Sequence, residues 1–241
     1  MSTASKLDRI HQRVRSNRWF YLFAIFCRVA LAAGFIPSGL VKIFGERFTD
    51  LSVNHPMGNY LQAVYDTGYY YTFIGVAQVA AAILLIIPRT ALLGALLYFP
   101  IILNIFLLTI STRFDGSMPT APLMVMANLY LFGWYYHRLK YILPFARHSD
   151  YQQVPGWKEL RNKFPFAFFG GAAVAVISTL YILLFGAYDI VPRNTIENCL
   201  PQCADKENLA ACEAYCACIH TDGTPQPQCL EEYEAAMAKG N

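Results

Sequence analysis

Five apolar stretches, each close to the ~20 residues that carry a helix across a ~30 Å hydrocarbon layer, constrain this chain more than any other feature. They run from Trp19 to Phe44, Tyr70 to Ile87, Ala91 to Thr112, Pro119 to Tyr136 and Phe166 to Tyr188. Pro88, Arg89 and Thr90 alone separate the second from the third, so those two must form a tight antiparallel hairpin. Alternating sides along this order puts twelve of the 19 Lys and Arg residues, but three of the 16 acids, on one face. The other face receives thirteen acids and six of the seven cysteines. Basic residues accumulate on the cytoplasmic side and disulfides form on the oxidising side, so two unrelated signals give one topology. The expectation is a bacterial inner-membrane protein with a cytoplasmic N-terminus and a periplasmic C-terminus.

The domain order follows: a basic N-terminus (1–18), a four-helix transmembrane bundle (19–142), a cytoplasmic loop (143–165), a fifth transmembrane helix (166–188) and a Cys-rich domain (189–241). The fold class expected is all-α integral membrane, with a small disulfide-stapled helical extramembrane domain. The first span is too long and too polar at its far end for a cleaved signal peptide, and it reads as a retained anchor. With 56% hydrophobic residues and a formal net charge of +3, topology already accounts for the basic residues, and a nucleic-acid partner is not expected.

Polar residues inside the spans are where function is sought. Arg28, Phe35, Lys42 and Glu46 follow seven- and four-residue steps and share one stripe of the first helix. Gln78, Asn104 and Asn128 fall near the midpoints of the next three spans. Such groups turn inward when hydrocarbon offers no partner, so convergence inside the bundle is expected. Two readings stand: interhelical glue with Arg28 as a structural hub, or a ligand site in which Arg28 and the three amides hold a polar head, with Lys42 and Glu46 at the entrance. Lys42, Glu46, Arg113 and Asp115 form a second polar group at the export-side rim, either ion-paired across helix ends or binding a head group. The loop 47–68 carries a turn at Pro56 and an amphipathic run from Tyr60 to Tyr65, and its His55 reads as a surface histidine. His137, beside Arg138, reads as solvated or at lipid head groups.

Six cysteines, Cys199, Cys203, Cys212, Cys216, Cys218 and Cys229, fall within about thirty residues, too few to build a hydrophobic core, so cross-links are expected to replace it. The two Cys-x3-Cys pairs suit a stapled helical hairpin, and Cys218 with Cys229 is then the remaining bridge, one connectivity among fifteen. Covalent haem requires Cys-x-x-Cys-His, and Cys216-Ala-Cys218-Ile-His220 has the wrong spacing. Zinc would draw on the thiols and His220, but an oxidising compartment favours disulfides. Cys27, alone in the bundle, reads as a small packing residue.

The stretch from Arg28 to Gly45, with its Arg, spaced glycines and Gly39-Leu-Val-Lys42 ending, resembles the first helix of DoxX-like membrane proteins. The run Gly75 to Gly94 is similar to that family's second helix, tight turn and third-helix start. The resemblance covers about residues 19–142. It implies a four-helix core, often a subunit of a membrane oxidoreductase assembly, with thiosulfate or quinone chemistry in some members. Many members carry Glu where this chain has Gln78, which weakens proton transfer there. The fifth helix and the Cys-rich domain lie outside the resemblance. With no haem motif and no electron carrier of its own, the chain is expected to be a non-catalytic subunit contacting membrane lipids and membrane or periplasmic protein partners. A quinone- or lipid-binding protein, or an oxidoreductase using the polar site inside the bundle, is the alternative.

Overall fold

The computed structural model describes residues 6–141 and 156–239, and among these no named strand occurs. Eleven α-helices follow one another among the described residues. They are α1 (Lys6–Arg15), α2 (Arg18–Ile43), α3 (Pro56–Asp66), α4 (Tyr69–Ile86), α5 (Ala91–Ser111), α6 (Thr120–Trp134), α7 (Tyr136–Leu139), α8 (Phe166–Tyr181), α9 (Ile196–Cys199), α10 (Leu209–His220) and α11 (Gln226–Lys239). A π-turn, Ile182–Gly186, extends α8. Four of these elements, α2, α4, α5 and α8 with its extension, are long and apolar enough to cross a membrane.

The fourth expected span departs from this. Its helix α6 has 15 residues, because the backbone leaves helical geometry at Tyr135 (φ −93°, ψ 12°) before the short α7 resumes. At 1.5 Å per residue α6 covers about 22 Å, less than the hydrocarbon thickness.

The chain divides into two compact units. The first comprises residues up to Gly39, Ala77–Ile102 and Leu123–Ile177; the second comprises Leu40–Val76, Leu103–Pro122 and Ser178 onward.

In the first unit, close backbone approach holds the α4–α5 hairpin. A Cβ on Gly94 would lie 2.5 Å from the Leu85 nitrogen and 3.0 Å from the Ala81 carbonyl oxygen, so a side chain there has no room. Phe35 of α2 stacks on Tyr98 of α5 with centroids 3.6 Å apart, and the Tyr98 hydroxyl donates to the Leu31 carbonyl at 3.3 Å. The segment after the loop is clipped to the start of α2: Arg18 N donates to the Arg161 carbonyl at 3.0 Å and Arg161 N to the Ser16 carbonyl at 2.7 Å. Phe168 and Phe169 pack on Phe20 and Phe23. Beyond that first turn α8 is open, with none of its apolar window buried. A Cβ on Gly170 or Gly171 would meet nothing within 4 Å among the described residues.

In the second unit, α2 ends in a Schellman motif. Gly45 takes φ +71°, Gly45 N donates to the Lys42 carbonyl and Glu46 N to that of Val41. Glu46 thus sits past the helix end, exposed, instead of continuing the stripe of Arg28, Phe35 and Lys42. The loop 47–68 contains a full helix, α3, longer than the amphipathic run expected. His55 caps it: Nδ1 accepts from Met57 N at 3.1 Å, and Pro56 at the first position forfeits no helical bond.

Three disulfides organise the C-terminal region: Cys199–Cys216, Cys203–Cys212 and Cys218–Cys229. The first two staple α9 and the following 3₁₀ turn onto α10, and the third joins α10 to α11. Their sulfurs sit in one cluster with Ile190, Tyr215, Ile219 and Tyr233. Cross-links therefore supply part of the interior that so short a segment cannot build from side chains.

Candidate functional site

The polar residues of the spans divide by environment. Arg28 is buried, and its guanidinium reaches the end of α4: Nε donates to the Leu85 carbonyl at 2.6 Å and NH2 to the Ile86 carbonyl. These are carbonyls that a helix C-terminus leaves without intrahelical partners, and a cation there also meets the negative end of the helix dipole. Arg28 thus acts as a cap on the α4–α5 hairpin. Gln78 is buried and accepts from Ser38 Oγ at 3.4 Å.

Asn128 is fully buried, and neither its Oδ1 nor its Nδ2 has a hydrogen-bond partner among the described residues. One turn earlier on α6, Met124 fills the space beside Gly34: a Cβ on that glycine would fall 2.0 Å from the Met124 methyl carbon. Asn104 differs from the inward orientation expected, because it lies on the exposed side of α5. Its neighbour Ile102 is the buried residue of that turn. A midpoint position in sequence sets depth but not azimuth.

Lys42 is buried in the second unit, with Nζ 4.1 Å from the centre of the Phe48 ring and 5.9 Å from that of Tyr71. Aromatic faces stabilise an ammonium that has left water.

Arg113 and Asp115 bond to residues outside the polar group expected with Lys42 and Glu46. Asp115 pairs with Arg193 at 2.7 Å. Arg113 donates to the Ile190 carbonyl at 2.7 Å and its guanidinium lies 4.7 Å from the centre of the Tyr188 ring. Tyr188 in turn donates to the Ile110 carbonyl at 2.7 Å. These bonds fasten the base of the stapled domain to the end of α5. Asp189, hydrogen-bonded by Lys206 and by the Tyr233 hydroxyl, is held below the usual carboxylate range by those two donors. Beside it is a pocket of about 340 Å³ lined by Arg113, Tyr188, Asp189, Leu230, Tyr233 and Met237, among others.

His55, expected at the surface, is fully buried and edge-on to Phe114. Burial and the nearby His220 push it down to about 4. Because Nδ1 accepts the Met57 amide proton, the proton resides on Nε2, which has no partner among the described residues. His137 is buried as well. Arg15 NH1 lies 3.1 Å from its Nδ1, and burial together with that guanidinium pushes it down to about 3. His11 stacks on His137 with centroids 5.4 Å apart.

The sulfurs of Cys203, Cys212 and Cys216 lie within 4.8 Å of one another, a spacing explained by their two disulfides, which leave no thiolate to ligate a metal. Cys27 is free and buried in the first unit.

Compared with known proteins, the chain is 36% identical over 111 residues to the uncharacterized protein YwoB of Bacillus subtilis (strain 168), an alignment covering 43% of this chain and 71% of the Bacillus protein. The chain belongs to the YwoB family. No family model matches it, and no solved structure matches it. Membership in the YwoB family brings no activity with it, so the functional reading rests on the residues.

Proposed function

We propose that this protein is a non-catalytic inner-membrane subunit of a larger complex, possessing a DoxX-like helical core and displaying its stapled domain on the periplasmic side as a rigid contact module. The observation that carries this reading is the latch at the domain's base. Arg113 to Ile190, Tyr188 to Ile110 and Arg193 to Asp115 tie a disulfide-cored unit to the end of an apolar helix. A module fixed in this way presents a preorganised surface, and preorganisation lowers the entropy that a partner must overcome on binding. Arg28 supports the same reading, since its guanidinium is committed to the α4 carbonyls. The orientation rests on the basic residues of the N-terminus and on disulfides that form in an oxidising compartment. In oxidoreductase assemblies such a subunit would position redox partners without holding their carriers.

Asn128 favours a second reading. A buried amide without a protein partner is costly unless something else bonds to it; a quinone carbonyl would accept from Nδ2, and a quinol hydroxyl or a lipid head group with hydroxyl or amine groups would also donate to Oδ1. In that case Asn128 bonds the head group, while Arg28 stays held at the Leu85 and Ile86 carbonyls, two turns along α4 from Gln78.

The test is photo-crosslinking in native membranes from exposed positions of the stapled domain, Leu209 and Glu231. A discrete protein adduct that disappears when the disulfides are reduced supports the contact module. Adducts only with lipid contradict it.

A further inference from the structure

Helix α1 turns its polar stripe towards the protein and its apolar stripe away from it. Asp8, His11 and Arg15, spaced i, i+3 and i+7, share one face. Asp8 pairs with Lys140 at 2.9 Å, while His11 Nε2 and Arg15 NH1 both reach the Trp134 carbonyl, at 3.1 and 3.3 Å. Leu7, Ile10 and Val14 lie on a second face, with Leu7 62% and Ile10 52% exposed. Arg9 and Arg13 lie on a third, both exposed. A helix whose apolar side chains had only water to face would gain by rolling them onto the protein. Here the bonds of Asp8, His11 and Arg15 fix the opposite orientation.

Where this helix is held is equally specific. Its anchor is the last carbonyl of α6, so α1 lies at the end of an apolar helix, at the depth where head groups begin if the helices cross a bilayer. Trp19, Tyr21 and Trp157 gather at the same end, with Tyr21 against Trp157 and Arg18 stacked 4.6 Å over the Trp157 ring. Such aromatic groups favour the membrane interface. Arg9, Arg13, Arg18, Arg161 and Lys163 are all exposed in this unit, whereas Asp8 is neutralised by Lys140. Glu159 is exposed there too, but the five cations outnumber it, so the surrounding surface is cationic and complements an anionic leaflet.

We propose that α1 is an interfacial helix that inserts Leu7, Ile10 and Val14 into the acyl boundary of an anionic leaflet while Arg9 and Arg13 bind phospholipid phosphates. The inference rests on the membrane reading above but goes beyond it, because the same spans are compatible with an α1 standing in water. Apolar insertion and head-group attraction act together in such helices, so α1 is both a depth gauge for the bundle and a sensor of anionic lipid content.

The test uses the full chain with single cysteines at Leu7, Ile10 and Gln12, and at Ile177 in α8 as a span reference, each carrying an environment-sensitive dye. Each is reconstituted into vesicles of phosphatidylcholine alone or of phosphatidylcholine with phosphatidylglycerol. A spin label near the top of the acyl chain is expected to quench the dyes at Leu7 and Ile10 about threefold more than that at Gln12, the contrast being larger in the anionic vesicles. Arg9→Gln with Arg13→Gln should remove the anionic dependence. Dyes at Leu7 and Ile10 as open to aqueous iodide as that at Gln12, with Ile177 still quenched by lipid, would overturn this inference and leave the membrane reading standing. An Ile177 dye quenched by iodide would overturn both, and equal quenching in the two vesicle types would overturn the anionic preference.

Discussion

Arg113 occupies the left-handed position that ends α5, with φ 52°, and from there donates to the Ile190 carbonyl at 2.7 Å. Its amide donates to the Ile110 carbonyl and that of Phe114 to the Thr109 carbonyl, the hydrogen-bond pair of a Schellman motif in which glycine is the usual residue. A side chain in this conformation costs about 1 kcal/mol. The strained backbone and the latch to the stapled domain therefore belong to one residue.

Arg113→Ala should weaken the attachment of the stapled domain by about 2 kcal/mol, the usual contribution of a hydrogen bond from a charged donor. Arg113→Gly should lose about 1 kcal/mol less, because glycine relieves the backbone strain while giving up the same latch. Amide exchange across residues 189–194 reads both effects. Equal losses in the two variants would refute the strain argument.

For Arg28 the account predicts a structural lesion. Arg28→Met leaves the Leu85 and Ile86 carbonyls without their donor and should cost about 3 kcal/mol of bundle stability. Arg28→Lys should restore only part of it, since an ammonium lacks the guanidinium's fork. Thermal unfolding in detergent measures both. An Arg28→Met protein as stable as the parent would show that the cap is dispensable.

Cys199 and Cys216 are 17 positions apart and enclose the Cys203–Cys212 link. Cys199→Ser with Cys216→Ser should cost the domain up to about 3 kcal/mol, the value for a loop near that length, and less to the extent that the inner bridge already shortens the loop. Reduction of all three bridges should unfold residues 196–239 while α2, α4, α5 and α8 keep their helicity. Circular dichroism before and after reductant separates the two regions. A domain that keeps its helicity when reduced would show that the side-chain core suffices.

Acid should release α1. His137 is pushed down to about 3 and His11 is also lowered, both chiefly by burial, whereas an unfolded histidine titrates near 6.5. Below that value the undocked state binds more protons, so the docked state loses stability as pH falls from about 6.5 towards 3. Exchange protection of α1 should therefore drop between pH 7 and pH 5, and His137→Gln should flatten the dependence. Unchanged protection across that range would contradict the buried, neutral histidines.

Apolar length and Cys spacing are local properties, and they made much of this structure legible. The bounds expected for the long apolar helices α2, α4 and α5 fall within a residue or two of those observed, and Cys218–Cys229 closes as the remaining bridge. What the residues did not disclose depends on azimuth or on distant partners. Asn104 and Asn128 look alike in sequence, yet one is exposed and the other fully buried, because helix rotation follows packing that no single span encodes. Asp115 finds Arg193, 78 positions away, and no spacing rule links them. Pro56 after His55 was a readable sign of a helix start, whereas the burial of His55 depends on Phe114 from another part of the chain.

The most direct test of the central claim is purification of the tagged protein from native membranes in mild detergent, with protein and small-molecule mass spectrometry of everything that co-elutes. A contact subunit predicts stoichiometric protein partners that are lost when the stapled domain is reduced. The protein eluting alone with a bound quinone or lipid, released by Asn128→Leu, would contradict that account and establish the bundle as a ligand site.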